Sequence, residues 1–166
     1  MSILTRRLKP DEVGLHRDLR LQALGDSPDS FGETLAEAAA RPATYWEDLT
    51  RSVTEPGGHV MFVAFDGDSP IGSAYGLRDQ ERSDGGRVGG MWVHPESRRL
   101  GVGNDLLQAV LDWARVCAFT GLALWAPEQN LAAMALYRRA GFSETGNRRS
   151  LVTNESVKVV EMNVEI

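Results

Sequence analysis

Residues 93–104 read VHPESRRLGVGN, and this stretch is the most informative part of the chain. It joins an apolar segment to a basic turn with two glycines, and an amphipathic helix starts directly behind the turn. Gly101 and Gly103 lack Cβ atoms, so the backbone there can approach a ligand closely. The first turn of a helix leaves about four N–H groups without an internal partner, and the helix dipole adds roughly half a positive charge at the same end. The stretch therefore predicts a binding site for pyrophosphate.

Two arginines in the turn support the same interpretation. Arg98 and Arg99 can donate charge-assisted hydrogen bonds to phosphate oxygens. A lone G-x-G is also typical of an ordinary tight turn before a helix. It is not a dinucleotide-binding fingerprint, because no third glycine stands three residues after Gly103, and the chain contains no G-x-x-x-x-G-K-[ST] motif. The elements around the turn must therefore separate the two interpretations.

The composition predicts one globular domain. With 166 residues, 42% of them hydrophobic and 25% charged, the chain can bury one sizeable core, and we expect a single domain over residues 1–166. The net charge of −5, without a basic tract, argues against nucleic acid as a partner. No apolar run is long enough to cross a membrane, so we expect no membrane partner. The single cysteine, Cys117, excludes an intramolecular disulfide and favours a cytoplasmic location. His16 and His59 have no companions at metal-ligand spacing, so we expect no metal.

Hydrophobic periodicity and turn signals predict alternating strands and helices. The predicted strands cover residues 2–8, 59–65, 71–77, 87–93, 121–126, 142–149 and 156–164. The predicted helices cover residues 10–24, 33–54 with an interruption at Pro42, 102–117 and 130–140. The helix after the glycine turn is the clearest of them, because its apolar residues form a wide stripe. The resulting order, β-α-α-β-β-β-α-β-α-β-β, indicates an α/β fold.

Two motifs in this order resemble those of a known superfamily. The spacing Arg98-x-x-Gly101-x-Gly103 resembles the coenzyme A loop of the GNAT N-acetyltransferases. Downstream, the chain carries Asn130-x-x-Ala133-x-x-Leu136-Tyr137-x-x-x-Gly141-Phe142, which resembles the second motif of that superfamily. The resemblance extends over nearly the whole chain. It implies the GNAT fold, a mixed central sheet flanked by helices, and an N-acetyltransferase with acetyl-CoA as cosubstrate.

The resemblance also implies where acetyl-CoA would lie. In the superfamily it occupies a cleft where two parallel strands separate, here residues 87–93 and 121–126. The glycine pair Gly89–Gly90 fits a bulge in the first of these strands. An amine would attack the thioester directly in a ternary complex. The residues implied for cofactor binding are Met91, Trp92, Val93, Arg98, Arg99, Gly101, Val102, Gly103, Asn104 and Asn130.

Tyr137 is the candidate catalytic residue. Its phenol could protonate the departing thiolate of coenzyme A as a general acid. The alternative is a buried aromatic side chain beside Leu136, and the motif around Tyr137 favours the catalytic role. Asn130 is placed either to hydrogen-bond the pantetheine or to cap its helix.

The general base stays open. Many members of the superfamily carry a glutamate on the strand before the loop, and the comparable position here is Gly90. Glu33, Glu81 and Glu128 are alternative bases, and a water relay is another.

The acceptor is expected to be the primary amine of a small molecule or a peptide. We expect its site between the first two helices and the loop of residues 78–87, with Phe31, Trp46, Tyr75 and Trp92 as candidate lining residues. Self-association as a homodimer stays open. A functional alternative is a non-catalytic module that binds acetyl-CoA as a sensor.

Overall fold

The computed structural model describes residues 2–166 and has the predicted order of elements. Its strands are β1 (Ile3–Arg7), β2 (Val60–Asp66), β3 (Ser69–Arg78), β4 (Gly85–Val93), β5 (Gly121–Pro127), β6 (Ser143–Leu151) and β7 (Asn154–Glu165). Its helices are α1 (Val13–Asp26), α2 (Leu35–Ala39), α3 (Ala43–Thr54), α4 (Val102–Val116) and α5 (Leu131–Arg139). The helical region before β2 is divided at Pro42, as predicted, because this proline is the N-cap of α3. Among the described residues, no helix combines the length and the apolar character of a membrane span.

The strands form one mixed sheet in the order β1-β2-β3-β4-β5-β7-β6. All neighbouring strands are antiparallel except β4 and β5, which are parallel. A parallel pair needs a crossover connection, and α4 supplies it. The α/β fold with a mixed sheet flanked by helices is therefore confirmed.

Both faces of the sheet are covered. Successive side chains of a strand point to opposite faces, and β2 buries both sets. Val60 and Phe62 pack with the apolar stripe of α4, whereas Met61 and Val63 pack with residues of α1 and α3. The stripe predicted for α4 is buried at Val102, Leu106, Val110 and Trp113. Helices therefore cover both faces of the sheet at β2.

Candidate active site

The turn before α4 presents a row of free backbone N–H groups. Arg99 and Gly101 have left-handed backbone, with φ of 65° and 84°, a conformation that L-residues other than glycine rarely adopt. The amide of Asp105 is the first that bonds back to the turn, to the carbonyl of Gly101 at 3.0 Å. The six consecutive amides of residues 99–104 have no carbonyl partner within residues 2–166. This arrangement is typical of an anion site at a helix N-terminus.

A groove of about 470 Å³ runs beside this turn. Nine of the ten residues predicted to bind cofactor line it, namely Met91, Trp92, Val93, Arg98, Arg99, Gly101, Gly103, Asn104 and Asn130. The side chain of Val102, the tenth, is buried in the core, and its amide is one of the free N–H groups. Ser27, Ser30 and Arg139 also line the groove, and sequence reasoning missed them.

Arg98 is anchored by the protein itself. Its guanidinium donates to the carboxylate of Asp26 and, through Nε, to the carbonyl of Val93 at 2.9 Å. The indole N–H of Trp92 donates to the same carboxylate at 2.9 Å. Arg98 thus fastens the end of β4 to the C-terminal end of α1, and its charge is balanced within the protein.

The strands β4 and β5 separate after a short pairing. Gly85–Arg87 pair with Gly121–Ala123, and no further pairs join the two strands. Their outer edges stay paired with β3 and β7. A narrow cleft of about 100 Å³ lies between the separated edges and shares Met91 and Leu136 with the groove. The gap expected between these two strands is therefore present.

Tyr137 lies on α5 and lines this cleft. Only 7% of it is exposed, and its ring packs edge-on against Phe142. Burial raises the pKa of Tyr137 to about 12, so the phenol keeps its proton at neutral pH. The residue is thus a core aromatic and, at the same time, a protonated hydroxyl beside the cleft.

Asn130 caps α5. Its side chain accepts a hydrogen bond from the amide of Ala133 at 3.1 Å. Because it also lines the cleft and the groove, its contact with pantetheine stays a prediction.

The glycine pair lies where β4 is irregular. The register between β3 and β4 shifts between Ser73 and Tyr75, which confirms the predicted bulge. Gly90 has a φ of 54°, and a Cβ atom placed on it would overlap the ring of Tyr75. The position comparable to the glutamate of many superfamily members therefore has no room for a side chain here.

A further cavity, the side pocket, lies beside the cleft and shares Gly89 and Gly90 with it. It measures about 380 Å³, within the range of roughly 300–1,000 Å³ typical of small-molecule sites. Most of its wall is aromatic or aliphatic, formed by Tyr45, Trp46, Leu49, Val53, Tyr75 and Leu77. Its polar lining residues are Arg20, Glu33, Ser52 and His59.

The side pocket only partly matches the acceptor site expected from sequence. Trp46 and Tyr75 line it, as expected. Phe31 lines the cleft instead, and Trp92 lines the groove. The loop of residues 78–87 does not line the pocket, whereas residues of α3 and His59, which precedes β2, do.

None of the three candidate carboxylates is both unpaired and in the lining of the cleft or the side pocket. Both oxygens of Glu128 accept from Arg148, and these hydrogen bonds lower the pKa of Glu128. Glu81 is exposed in the loop after β3, and Glu33 is paired with two arginines. The water relay therefore stays a prediction. Residues 2–166 contain no group of three or more His, Cys, Asp or Glu side chains that could hold a metal ion.

A buried histidine fixes the position of Tyr75. Nε2 of His16 lies 2.6 Å from the hydroxyl of Tyr75, and Nδ1 lies 2.9 Å from the hydroxyl of Thr50. Burial, with a smaller effect of the Arg20 charge, lowers the pKa of His16 from 6.5 to about 4. The imidazole is therefore neutral at neutral pH. Sequence reasoning missed this role, since 59 residues separate His16 from Tyr75.

We expect this histidine to make the protein sensitive to acid. An unfolded chain protonates His16 below pH 6.5, whereas the folded chain resists protonation down to about pH 4, so stability falls as the pH drops through this window. The expected loss between pH 7.5 and pH 5 is about 2 kcal/mol. Urea unfolding at both pH values measures it. H16Q should show a loss smaller by that amount, and equal losses in both proteins would contradict the assignment.

The comparisons with known proteins agree with this geometry. The model of the "Acetyltransferase (GNAT) family" matches residues 23–142. Mycothiol acetyltransferase from Geodermatophilus obscurus is 29% identical over 147 residues, which are 86% of this chain and 44% of that protein. The chain thus spans less than half the length of this relative. Aminoglycoside N(6')-acetyltransferase type 1 from Stenotrophomonas maltophilia is 33% identical over 105 residues, 60% of this chain and 69% of that protein.

Solved structures share the fold at low sequence identity. A GNAT-family acetyltransferase from Streptococcus pneumoniae has a TM-score of 0.83 at 20% identity, over 99% of this chain and 100% of that one. The protein yncA from Salmonella typhimurium, solved with its cofactor acetyl-CoA, has a TM-score of 0.78 at 16% identity, over 99% of this chain and 94% of that one. Spermidine N-acetyltransferase from Vibrio cholerae, in complex with CoA and spermine, has a TM-score of 0.77 at 17% identity, over 98% of this chain and 95% of that one.

The fold, the glycine turn and the family match define the class of protein. The chain belongs to the GNAT acetyltransferase family. Acetyl-CoA is the cosubstrate of this family.

Proposed function

We propose that this protein transfers the acetyl group of acetyl-CoA to a primary amine by direct attack in a ternary complex. One observation carries the proposal: three spaces of different character meet around the bulge of β4. The groove beside the free amides suits pyrophosphate. The cleft between the separated strands suits the pantetheine arm and the thioester. The side pocket, which meets the cleft at Gly89 and Gly90, is where the amine would approach.

The proposed reaction needs few protein groups. The lone pair of a neutral amine attacks the thioester carbonyl carbon, a C–N bond forms, and the C–S bond then breaks. β4 amides that have no partner on β5 would stabilise the negative charge on the carbonyl oxygen. The thiolate leaves toward Tyr137, which donates its proton, and the proton of the new ammonium passes to water. Because an aliphatic ammonium has a pKa near 10, the neutral amine can also arrive from solution without a dedicated base.

The side pocket favours catalysis over sensing. A module that only sensed acetyl-CoA would need the groove and the cleft, but it would gain nothing from a small-molecule cavity beside the thioester. The direct test combines the protein with acetyl-CoA and single amines, with mass spectrometry of each amine. An acetylated amine supports the proposal. Tight binding of acetyl-CoA without acetylation of any primary amine would favour the sensor.

We expect Y137F to lower the rate of transfer while leaving affinity for acetyl-CoA nearly unchanged. The loss should be about 10- to 100-fold, at the lower end of acid–base effects, because a thiolate is already a good leaving group. Thiol release, followed with a chromogenic disulfide, measures kcat, and calorimetry measures the affinity. F142Y is a control that adds a hydroxyl to the ring packed against Tyr137. Wild-type turnover in Y137F would leave Tyr137 only its role in the core.

A further inference from the structure

The charge balance of the side pocket points to the class of acceptor. Among residues 2–166, Glu33 is the only acidic residue that lines the pocket, and both of its oxygens are occupied. Oε2 accepts from Arg20 at 3.0 Å, and Oε1 accepts from Arg41 at 3.1 Å. Only 15% of the Glu33 side chain is exposed. This carboxylate is therefore not free to bind an ammonium group.

Arg20 lines the pocket and keeps one hydrogen-bond donor free within residues 2–166. It donates to Glu33 through Nε and Nη2, and the hydrogen bonds within residues 2–166 give its Nη1 no acceptor. Its guanidinium lies over the ring of Phe31, with 5.0 Å between its central carbon and the ring centroid. Of the two arginines that pair with Glu33, only Arg20 lines the pocket, so the charges of the two charged lining residues balance. A guanidinium with a free donor binds carboxylates well.

The remaining polar groups of the pocket carry no negative charge. Nδ1 of His59 accepts from the amide of Arg78 at 2.9 Å, and burial lowers the pKa of His59, which favours its neutral form. The Ser52 hydroxyl donates to the carbonyl of Leu49. The rest of the wall is apolar or aromatic. A second ammonium group on an acceptor would lose its hydration here without meeting an anion, which is costly.

We propose that the acceptor is an amino acid-like zwitterion, with one primary amine and one carboxylate on an apolar or aromatic body, and that Arg20 binds its carboxylate. The amine lies toward Gly89 and Gly90, and the apolar body lies against the aromatic wall. Polyamines and aminoglycosides are disfavoured, because a second ammonium group would meet no free carboxylate in the pocket. This inference rests on the proposed acetyl transfer.

The test compares matched acceptors. L-Phenylalanine and L-leucine are compared with 2-phenylethylamine and 3-methylbutylamine, which lack only the carboxylate, and with spermidine and kanamycin. Calorimetry with acetyl-CoA comes first, and thiol release then gives kcat/KM. The two amino acids should exceed their carboxylate-free partners by about 10- to 100-fold, as expected for one charge-assisted hydrogen-bonded pair. Spermidine and kanamycin should be the poorest acceptors.

Variants locate the carboxylate site. R20Q should abolish the preference for L-phenylalanine over 2-phenylethylamine, and R20K should retain part of it. R17Q is the matched control, because Arg17 lies on the same helix, is exposed and does not line the pocket. Affinity for acetyl-CoA shows that each variant is folded. The ratio of two kcat/KM values separates recognition of the carboxylate from a general loss of activity.

Each outcome decides one of the two proposals. A preference for spermidine or kanamycin, or an R20Q variant that keeps the preference for L-phenylalanine, overturns the acceptor class and leaves acetyl transfer intact. Binding of acetyl-CoA without turnover of the two amino acids likewise overturns the acceptor class. No binding of acetyl-CoA contradicts the proposed function itself.

Discussion

Replacement of both Gly101 and Gly103 by valine is expected to weaken coenzyme A binding about 100-fold or more, the cost of losing two charge-assisted hydrogen bonds. A Cβ atom on Gly103 would lie 3.2 Å from the side chain of Leu136, so the added methyl groups must enter the groove. Gly101 has a φ of 84°, which a valine can adopt only with strain. Calorimetric titration of coenzyme A measures the loss.

The control for this variant is L100A. Leu100 lies in the same turn, half-exposed, and its truncation leaves the amides in place. We expect L100A to bind coenzyme A as the wild type does. Wild-type affinity in a folded double-glycine variant would show that the turn does not hold the cofactor.

Introduction of the missing glutamate, G90E, is expected to destabilise the protein by about 2–4 kcal/mol, from left-handed strain and overpacking together. Gly90 has a positive φ, and its Cβ would overlap the ring of Tyr75. The displaced Tyr75 would lose its hydrogen bond to His16, so the variant should also lose activity instead of gaining a base. Urea unfolding at neutral pH measures the change in the free energy of unfolding.

Two companion variants sharpen this test. G89A is the matched control, because a Cβ at that position meets only the flexible end of Leu77, at 3.2 Å. G90A should cost less stability in a Y75A background than in the wild type, because the ring that the added Cβ meets is then absent. If G90E were as stable as G89A, the contact with Tyr75 would not restrict position 90 to glycine.

The parts of this site that could be predicted from sequence are local in the chain. The turn of residues 93–104 carries its own conformation in its glycines, and Asn130 and Tyr137 lie on one short helix. Their relative positions follow from helix geometry alone. The bulge at Gly89–Gly90 could be predicted for the same reason, since a pair of glycines marks an irregular strand.

The parts that could not be predicted depend on contacts between distant segments. Asp26 accepts a hydrogen bond from Arg98, and the two residues are 72 positions apart in the chain. The sequence therefore carries no indication that the charge of Arg98 is neutralised within the protein. Glu33 is an alternative base by sequence, and only the tertiary structure shows it paired with two arginines. No pattern of apolar residues could anticipate either ion pair, because both partners in each pair are polar surface residues by composition.

The short pairing of β4 with β5 divides the sheet into two parts, β1–β4 and β5–β7, which are joined only near the start of these two strands. Three residue pairs join the two parts. Helix α4 packs through Leu106, Leu107 and Val110 into one core with residues of both parts. The packing of these helix side chains therefore sets how far β4 and β5 stand apart at the cleft. Under the proposed function, substitutions in this packing would change the room for the acyl group without replacing any residue that lines the cleft.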